Sequence, residues 1–154
     1  MQSETLEEIT QVRQNCGYFF MDGWNILNAS GKETFSFLQT QTTNDALQLE
    51  VGHGQASAVT DRQARLIANF SIHRIAANEA WLLTEDWQTL YDHLESYHFR
   101  EDVTFTKIEQ VLLILQGPKS PLLLEKLFSA LPEKAHSILQ QDFEGKRITI
   151  IKKS

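Results

Sequence analysis

Asparagine, serine and histidine recur at every second position in Asn69, Ser71 and His73. In an extended chain, residues two apart point the same way and lie roughly 7 Å apart, so these three make a polar strip on one strand face. Such a strip either lines a pocket or meets water, and periodicity alone assigns it to water. The other reactive residue types are scattered. His53, His73, His93, His98 and His136 are not paired at i+2 or i+4, and no Asp/Glu cluster completes a set of metal ligands. No G-x-S-x-G elbow, P-loop or G-x-G-x-x-G is present, and Gly52-His53-Gly54 is too short to cradle a phosphate. Cys16 has no cationic neighbour in sequence to activate it, so it reads as an inert packed thiol.

A second polar cluster runs from Ser30 to Asp45. Ser30 and Glu33 have the spacing of a capping box, and Phe35 and Leu38 share a face of the helix it would start. Thr40 to Asp45 are small and polar, and they favour a turn with a second short helical turn through Ala46 and Leu47. A helix with such a tip presents polar side chains to a ligand. Taken alone, the stretch is a helix–loop joint.

The elements around these clusters follow from periodicity. Residues 1–15 form an amphipathic helix or a leader, with Thr5 and Glu8 at capping-box spacing; residues 16–154 form one domain. Asp22-Gly23 between Tyr18–Met21 and Trp24–Leu27 predicts a hairpin with a type I′ turn. Gln55–Val59, Leu66–Ile75 and Ala80–Thr84 are strands. In the second, Leu66, Ala68, Phe70 and Ile72 face one way and Ile67, Asn69, Ser71 and His73 the other. Trp87, Leu90, Tyr91 and Leu94 mark a helix capped near Thr84. Val103–Thr106 is a strand, and Val111–Leu115, apolar throughout, reads as a central strand buried on both faces. Ser120-Pro121 opens a helix that buries Leu124, Leu127, Phe128 and Leu131. Glu133–Gln140 is weakly helical, and Lys146–Lys152 is a last strand. The fold class is α+β with a largely antiparallel sheet. A final strand with nothing covering it implies a longer natural product or a dimer through that strand.

Composition narrows the function classes. With 154 residues the chain suits one domain with a real core, and 42% apolar against 22% charged residues is ordinary for a folded protein. A formal charge of −6 argues against a large nucleic-acid surface. The single cysteine excludes an internal disulfide and a cysteine zinc site. No segment has the length to cross a bilayer, so a cytoplasmic location is the expectation, with no membrane partner.

Four local patterns, in order, resemble those of a known family. Gly31-Lys32-Glu33 followed by Phe37–Asp45 resembles G-x-D/E-x-x-x-F-L-Q-G-Q-x-T-N-D, with Thr40 in place of the middle glycine. Asp61–Asn69 resembles D-x-K-G-R-x-L-A-D/N, with Ala64 in place of its glycine. Tyr97–Val103 resembles Y-x-F-R-x-x-V, and Leu115-Gln116-Gly117-Pro118 resembles L-x-G-P. Together they resemble the N-terminal half of the YgfZ branch of the GcvT-like folate-binding family, named for the glycine cleavage T-protein.

That resemblance implies two related halves clasping a folded tetrahydrofolate, followed by a small barrel. This chain would be the first half; the later K-G-C-Y-x-G-Q-E motif is not in it. The aminomethyltransferase relatives place a catalytic aspartate where this chain has Asn69. An amide orients a ligand but performs no acid–base step near neutral pH. The resemblance therefore implies a tetrahydrofolate-binding protein in iron–sulfur cluster assembly or repair and, through it, tRNA modification. Asn69 would orient the folate, with Gln41, Asn44 and Arg65 near it, the helix tip and the strand forming two walls of one cleft. The alternatives are a folate-dependent aminomethyltransferase and a ligand-free scaffold that dimerises through its terminal strand.

Overall fold

The computed structural model describes the backbone of residues 2–153 and the side chains of residues 6–153. In chain order the elements are α1 (Gln2–Gln14), β1 (Gly17–Phe20), β2 (Asn25–Ser30), α2 (Thr34–Gln41), β3 (Gly54–Thr60), β4 (Leu66–Ala76) and β5 (Glu79–Thr84). There follow α3 (Trp87–Ser96), β6 (Thr104–Ile108), β7 (Leu113–Gln116), α4 (Ser120–Leu124), β8 (Ile138–Phe143) and β9 (Lys146–Ile151). Five strands form the main sheet in the order β3-β4-β5-β2-β6, every pair antiparallel. The pairs β1-β7 and β8-β9 are separate two-stranded antiparallel ribbons. This is the α+β class with antiparallel sheets expected from the sequence.

Helices α2 and α3 close one face of the main sheet. Phe35, Phe37 and Leu38 from α2 and Leu90 and Leu94 from α3 pack with Leu27, Phe70, Ile72, Leu82 and Phe105 in one buried cluster. The spacing of these helical residues gives each helix a single apolar stripe, which is what a helix needs to seat on a sheet. The Asp86 carboxylate caps α3 by accepting from the Thr89 backbone N–H at 3.1 Å, two residues past the expected cap at Thr84.

Several local signals yield to tertiary pairing. Ser30 does not cap α2: its backbone lies in the ladder opposite Glu79 and Thr104. Glu33 instead occupies the cap position without a side-chain cap bond, and its carboxylate accepts from the Asp102 N–H at 2.7 Å. Gly31 has φ +147°, and a Cβ there would sit 2.0 Å from the Asp102 carbonyl oxygen, so only glycine lets the two backbones approach. The short helical turn expected at Ala46-Leu47 is a plain turn, whose Leu47 and Gln48 N–H groups donate to the Asp45 carboxylate.

Asp22-Gly23 does form a turn, with Gly23 at φ +86° and the Trp24 N–H donating to the Met21 carbonyl. It makes no hairpin, because β1 leaves to pair with β7 and β2 pairs with β5 and β6. The type I′ hairpin lies between β8 and β9, where Glu144 and Gly145 have φ of 49° and 76°. Residues Val111–Leu115 are not a central strand: Val111 and Leu113 are exposed, and β7 has β1 as its one partner. The helix after Pro121 covers five residues, and Leu127 is exposed rather than buried. Glu133–Gln140, expected to be weakly helical, is a turn that enters β8. Strand β9 pairs along one edge with β8 through six register pairs, and its other edge has no strand partner among the described residues. The capping box expected at Thr5 involves a side chain outside those described, and α1 already includes that residue.

Candidate functional site on the outer face of the sheet

Residues paired directly across antiparallel strands share a face, and alternation then assigns every side chain of the main sheet. Ala68, Phe70 and Ile72 of β4 join the helix-covered core. Asn69, Ser71 and His73 therefore point to the opposite, outer face, as their spacing predicted. Their register partners on β3 are Ala58, Ala56 and Gly54. Three polar side chains thus stand beside three residues with almost no side chain. The result is a shallow shelf, with Asn69 exposed at one end and His73 only 3% exposed at the other.

The rest of the outer face is apolar with polar interruptions. Ile26, Trp81 and Leu83 form a second buried cluster, against which Trp24, Ile75, Ile108, Leu112 and Ile151 pack. One row across the sheet reads His73, Trp81, Asn28 on β4, β5 and β2. In that row the His73 Nδ1, the Trp81 indole N–H and the Asn28 amide oxygen are all buried and without a hydrogen-bond partner among the described residues. Unpartnered buried polar groups are uncommon and call for a physical reason.

Histidine 73 is held tightly. Its Nε2 lies 2.9 Å from the Ser71 hydroxyl. A Cβ added at Gly54 would lie 2.2 Å from its Nδ1, so the glycine gives the imidazole its room. Burial lowers its pKa to about 4, with the positive charges of His136 and Lys153 adding to the effect. It is therefore neutral at pH 7. His98 behaves oppositely. Its pKa is raised, first by its bond to the Glu101 carbonyl at 2.9 Å and then by the Glu95 carboxylate.

The four residues expected at the site do not converge. Asn69 lies on the outer face, its backbone carbonyl accepting from the Thr84 hydroxyl at 3.2 Å. Gln41 ends α2, which packs on the opposite face, and its amide donates to the Thr40 hydroxyl at 3.0 Å. The two walls expected from the helix tip and the strand are thus separated by the sheet itself. Asn44 is committed to structure, donating to the Ala56 carbonyl at 2.5 Å along the free edge of β3. Thr43 does the same job, exchanging bonds with Ala58. Arg65 is paired to Asp61 at 2.7 Å in an exposed turn. That bond set, led by the Arg65 N–H, lowers the Asp61 pKa.

Sequence reasoning missed the shelf. Its signal was present in Gly54-Gln55-Ala56-Ser57-Ala58, where every second residue is small, but smallness reads as weak strand rather than as space. A hollow of about 210 Å³ also opens near Gly52, Ile75 and Ile138; Arg74 and Gln140 are its polar lining residues. Among the described residues no group of three His, Cys, Asp or Glu side chains is placed to hold a metal. No described helix is long and apolar enough to cross a membrane.

This arrangement, a five-stranded antiparallel sheet with helices on one face, belongs to a known class. The family described as the GCVT N-terminal domain matches residues 1–151, and the chain belongs to that family. An aminomethyltransferase of Thermus thermophilus is 30% identical over 126 residues, covering 79% of this chain and 36% of that protein. One from Pseudomonas syringae pv. tomato is 27% identical over 148 residues, covering 91% and 39%. The crystal structure of the glycine cleavage system aminomethyltransferase T from Bartonella henselae superposes with a TM-score of 0.81 at 22% identity, over 89% of this chain and 39% of that one. The likeness confirms the fold. The chain spans a little over a third of the length of these relatives.

Proposed function

We propose that this chain supplies the N-terminal wall of a tetrahydrofolate-binding site in a protein of the aminomethyltransferase family. The observation that carries the reading is the shelf: Gly54, Ala56 and Ala58 leave a flat, shallow surface beside Asn69 and Ser71, suited to a planar heterocycle. The residues fit binding. They do not include a carboxylate on the shelf: Asn69 stands there, and an amide orients a ligand without exchanging a proton. When bound, tetrahydrofolate would supply the one-carbon acceptor; what this chain contributes is orientation by Asn69 and a dry, flat floor.

Asn44 and Arg65 act in this reading as supports, fixing the edge of β3 and the turn before β4, while Gln41 bonds only to Thr40 at the end of α2. The names of the curated relatives favour aminomethyl transfer as the activity of the whole protein. Asn69 favours the second reading, a non-transferring YgfZ-type folate protein serving iron–sulfur proteins. Pairing of two copies through the free edge of β9 belongs to a third reading, a ligand-free scaffold, and sedimentation velocity tests it.

The test is a tetrahydrofolate titration followed by melting temperature. The native protein should melt several degrees higher at saturating ligand, and Asn69→Ala should lose most of that rise. No rise at millimolar tetrahydrofolate rejects the site. Methylene release from an aminomethyl donor separates the two readings. The native protein should show none, and turnover by the native protein would restore the transferase.

A further inference from the structure

We propose that Ser71 reads a hydrogen-bond acceptor on the ligand seated on the shelf, and that His73 is a positioning residue that fixes the direction of the Ser71 hydroxyl. The proposal rests on the folate reading for the identity of that ligand. It rests on the geometry of β4 for everything else.

Which imidazole nitrogen carries the proton decides where the Ser71 hydroxyl points. His73 is buried and neutral, so it has one N–H and one lone pair. Nε2 faces the Ser71 oxygen at 2.9 Å. Nδ1 lies toward the Gly54 backbone, buried and without a partner among the described residues. A proton on Nδ1 would be a buried donor with nothing to receive it. The adjacent Trp81 already presents one such donor in its indole N–H, so the row would then hold two. An unshared lone pair is the smaller penalty, since orphaned N–H groups are the rarer exception in folded proteins. The proton therefore sits on Nε2 and is donated to the Ser71 oxygen.

That assignment leaves the hydroxyl proton of Ser71 uncommitted. Among the described residues no other acceptor takes it, and Ser71 is half-buried on the outer face, one same-face step from Asn69. Its register partner Ala56 is small, so nothing on β3 stands over it. The hydroxyl is thus a donor aimed by a buried histidine, beside an amide that both donates and accepts. A ligand lying on the shelf with a ring nitrogen or carbonyl toward β4 satisfies it. The glycine at position 54 completes the device, since any larger residue would displace the imidazole.

The tautomer is measured first, by long-range proton–nitrogen correlation on the native protein labelled with nitrogen-15 in histidine. The Nε2–H form of His73 is expected, and the Nδ1–H form overturns the assignment. Tetrahydrofolate affinity is then measured by calorimetry. Ser71→Ala should bind about tenfold more weakly, the loss of one hydrogen bond to a ligand. His73→Met should lose several-fold, and His73→Gln, which keeps a donor near the Nε2 position, should recover most of it. Ser71→Ala with His73→Met should be no weaker than Ser71→Ala alone, because the histidine acts through the serine. Native affinity in Ser71→Ala, or additive losses in the double variant, overturns the proposal. Melting curves for each variant exclude simple unfolding, and Ser71→Ala keeps the backbone and the core intact. A native protein that ignores tetrahydrofolate rejects the folate reading and the ligand named here. The tautomer measurement still decides the orientation of Ser71 in that case.

Discussion

The two faces of the main sheet solve different problems with the same strands. On the helix side Leu27, Ile72 and Leu82 are fully buried, and Phe35, Leu38, Leu90 and Leu94 from two helices fill the space above them. On the other side, β3 offers Gly54, Ala56 and Ala58, and one row contains three buried polar atoms with no partner among the described residues. Unpaired buried groups cost about 1–3 kcal/mol each and occur on both faces, Ser57 Oγ and Arg74 Nε lying on the helix side. What sets the outer face apart is the row of small residues on β3. The helix face is built for cohesion. The outer face has a buried apolar cluster of its own but leaves open space beside Asn69 and Ser71, which suits a surface for something else.

The largest effect should come from opening the cohesive face. Leu82→Ala removes a fully buried side chain at the centre of the cluster joining the sheet to α2 and α3. Destabilisation of about 2–5 kcal/mol is expected, read as a lower urea midpoint with an unchanged slope. A loss below 1 kcal/mol would mean that the two faces do not differ in the way described.

Acid should expose the outer face next. The folded-state pKa of His73 is about 4 against an ordinary 6.5. The unfolded chain then binds a proton that the folded chain refuses, so stability falls as pH drops from 6.5 toward 4. The loss is roughly 3 kcal/mol, at about 1.4 kcal/mol for each tenfold change in proton affinity. His136 and Lys153 face this ring and strengthen the effect. His98 runs the other way, because its raised pKa adds stability below its unfolded value that disappears as pH rises through the folded one. Glu101, held at about 2 first by the backbone N–H of Arg100, loses its contribution in a lower window, between its ordinary 4.5 and 2. A His73→Gln variant should therefore flatten the stability curve between pH 6.5 and 4 and leave the lower limb in place.

These contrasts show what the sequence could reveal. The alternation in Leu66–Ile75 and the helical stripe through Leu90 and Leu94 were legible because burial obeys a simple period. The outward direction of Asn69, Ser71 and His73 came from the same rule. The fate of Ser30 and of Asp22-Gly23 was not legible. Both carry strong local signals, and both yielded to strand pairings made with residues about 50 to 95 positions away. The shelf was hidden for a different reason. It consists of side chains that are not there, and only the register between β3 and β4 brings them beside the polar strip. Whether Gln41 meets Asn69 depends on which face α2 covers, which no local pattern states.

A smaller perturbation tests the packing behind the shelf. In Gly54→Ala the new Cβ would lie 2.2 Å from the His73 Nδ1 and 3.0 Å from the Ile72 carbonyl oxygen. The imidazole must move, and overpacking of this kind costs about 1–3 kcal/mol. Ligand binding should fall further than stability, since the ring that aims Ser71 is displaced. Equal changes at Ala56→Val, which adds bulk beside Ser71 and leaves the histidine in place, would show that the loss reflects shelf area rather than the histidine.

The smallest effect should be a gain, at the turn that leads into β4. Ala64 has φ +58°, in the left-handed region where a Cβ is strained, within the turn closed by the Asp61–Arg65 backbone pair and the Arg65–Asp61 ion pair. A glycine there relieves the strain but gives the unfolded chain more freedom, so the two terms oppose each other. At a genuinely left-handed position the strain is the larger, about 1 kcal/mol per residue or somewhat more. Ala64→Gly should therefore raise stability by roughly 0.5 kcal/mol, seen as a rise in melting temperature of about 1–2 °C. Tetrahydrofolate affinity should stay at the native value, because the change leaves Asn69, Ser71 and the three small residues of β3 in place. A fall in affinity with unchanged stability would mean that the turn, with Arg65 in it, reaches the ligand after all.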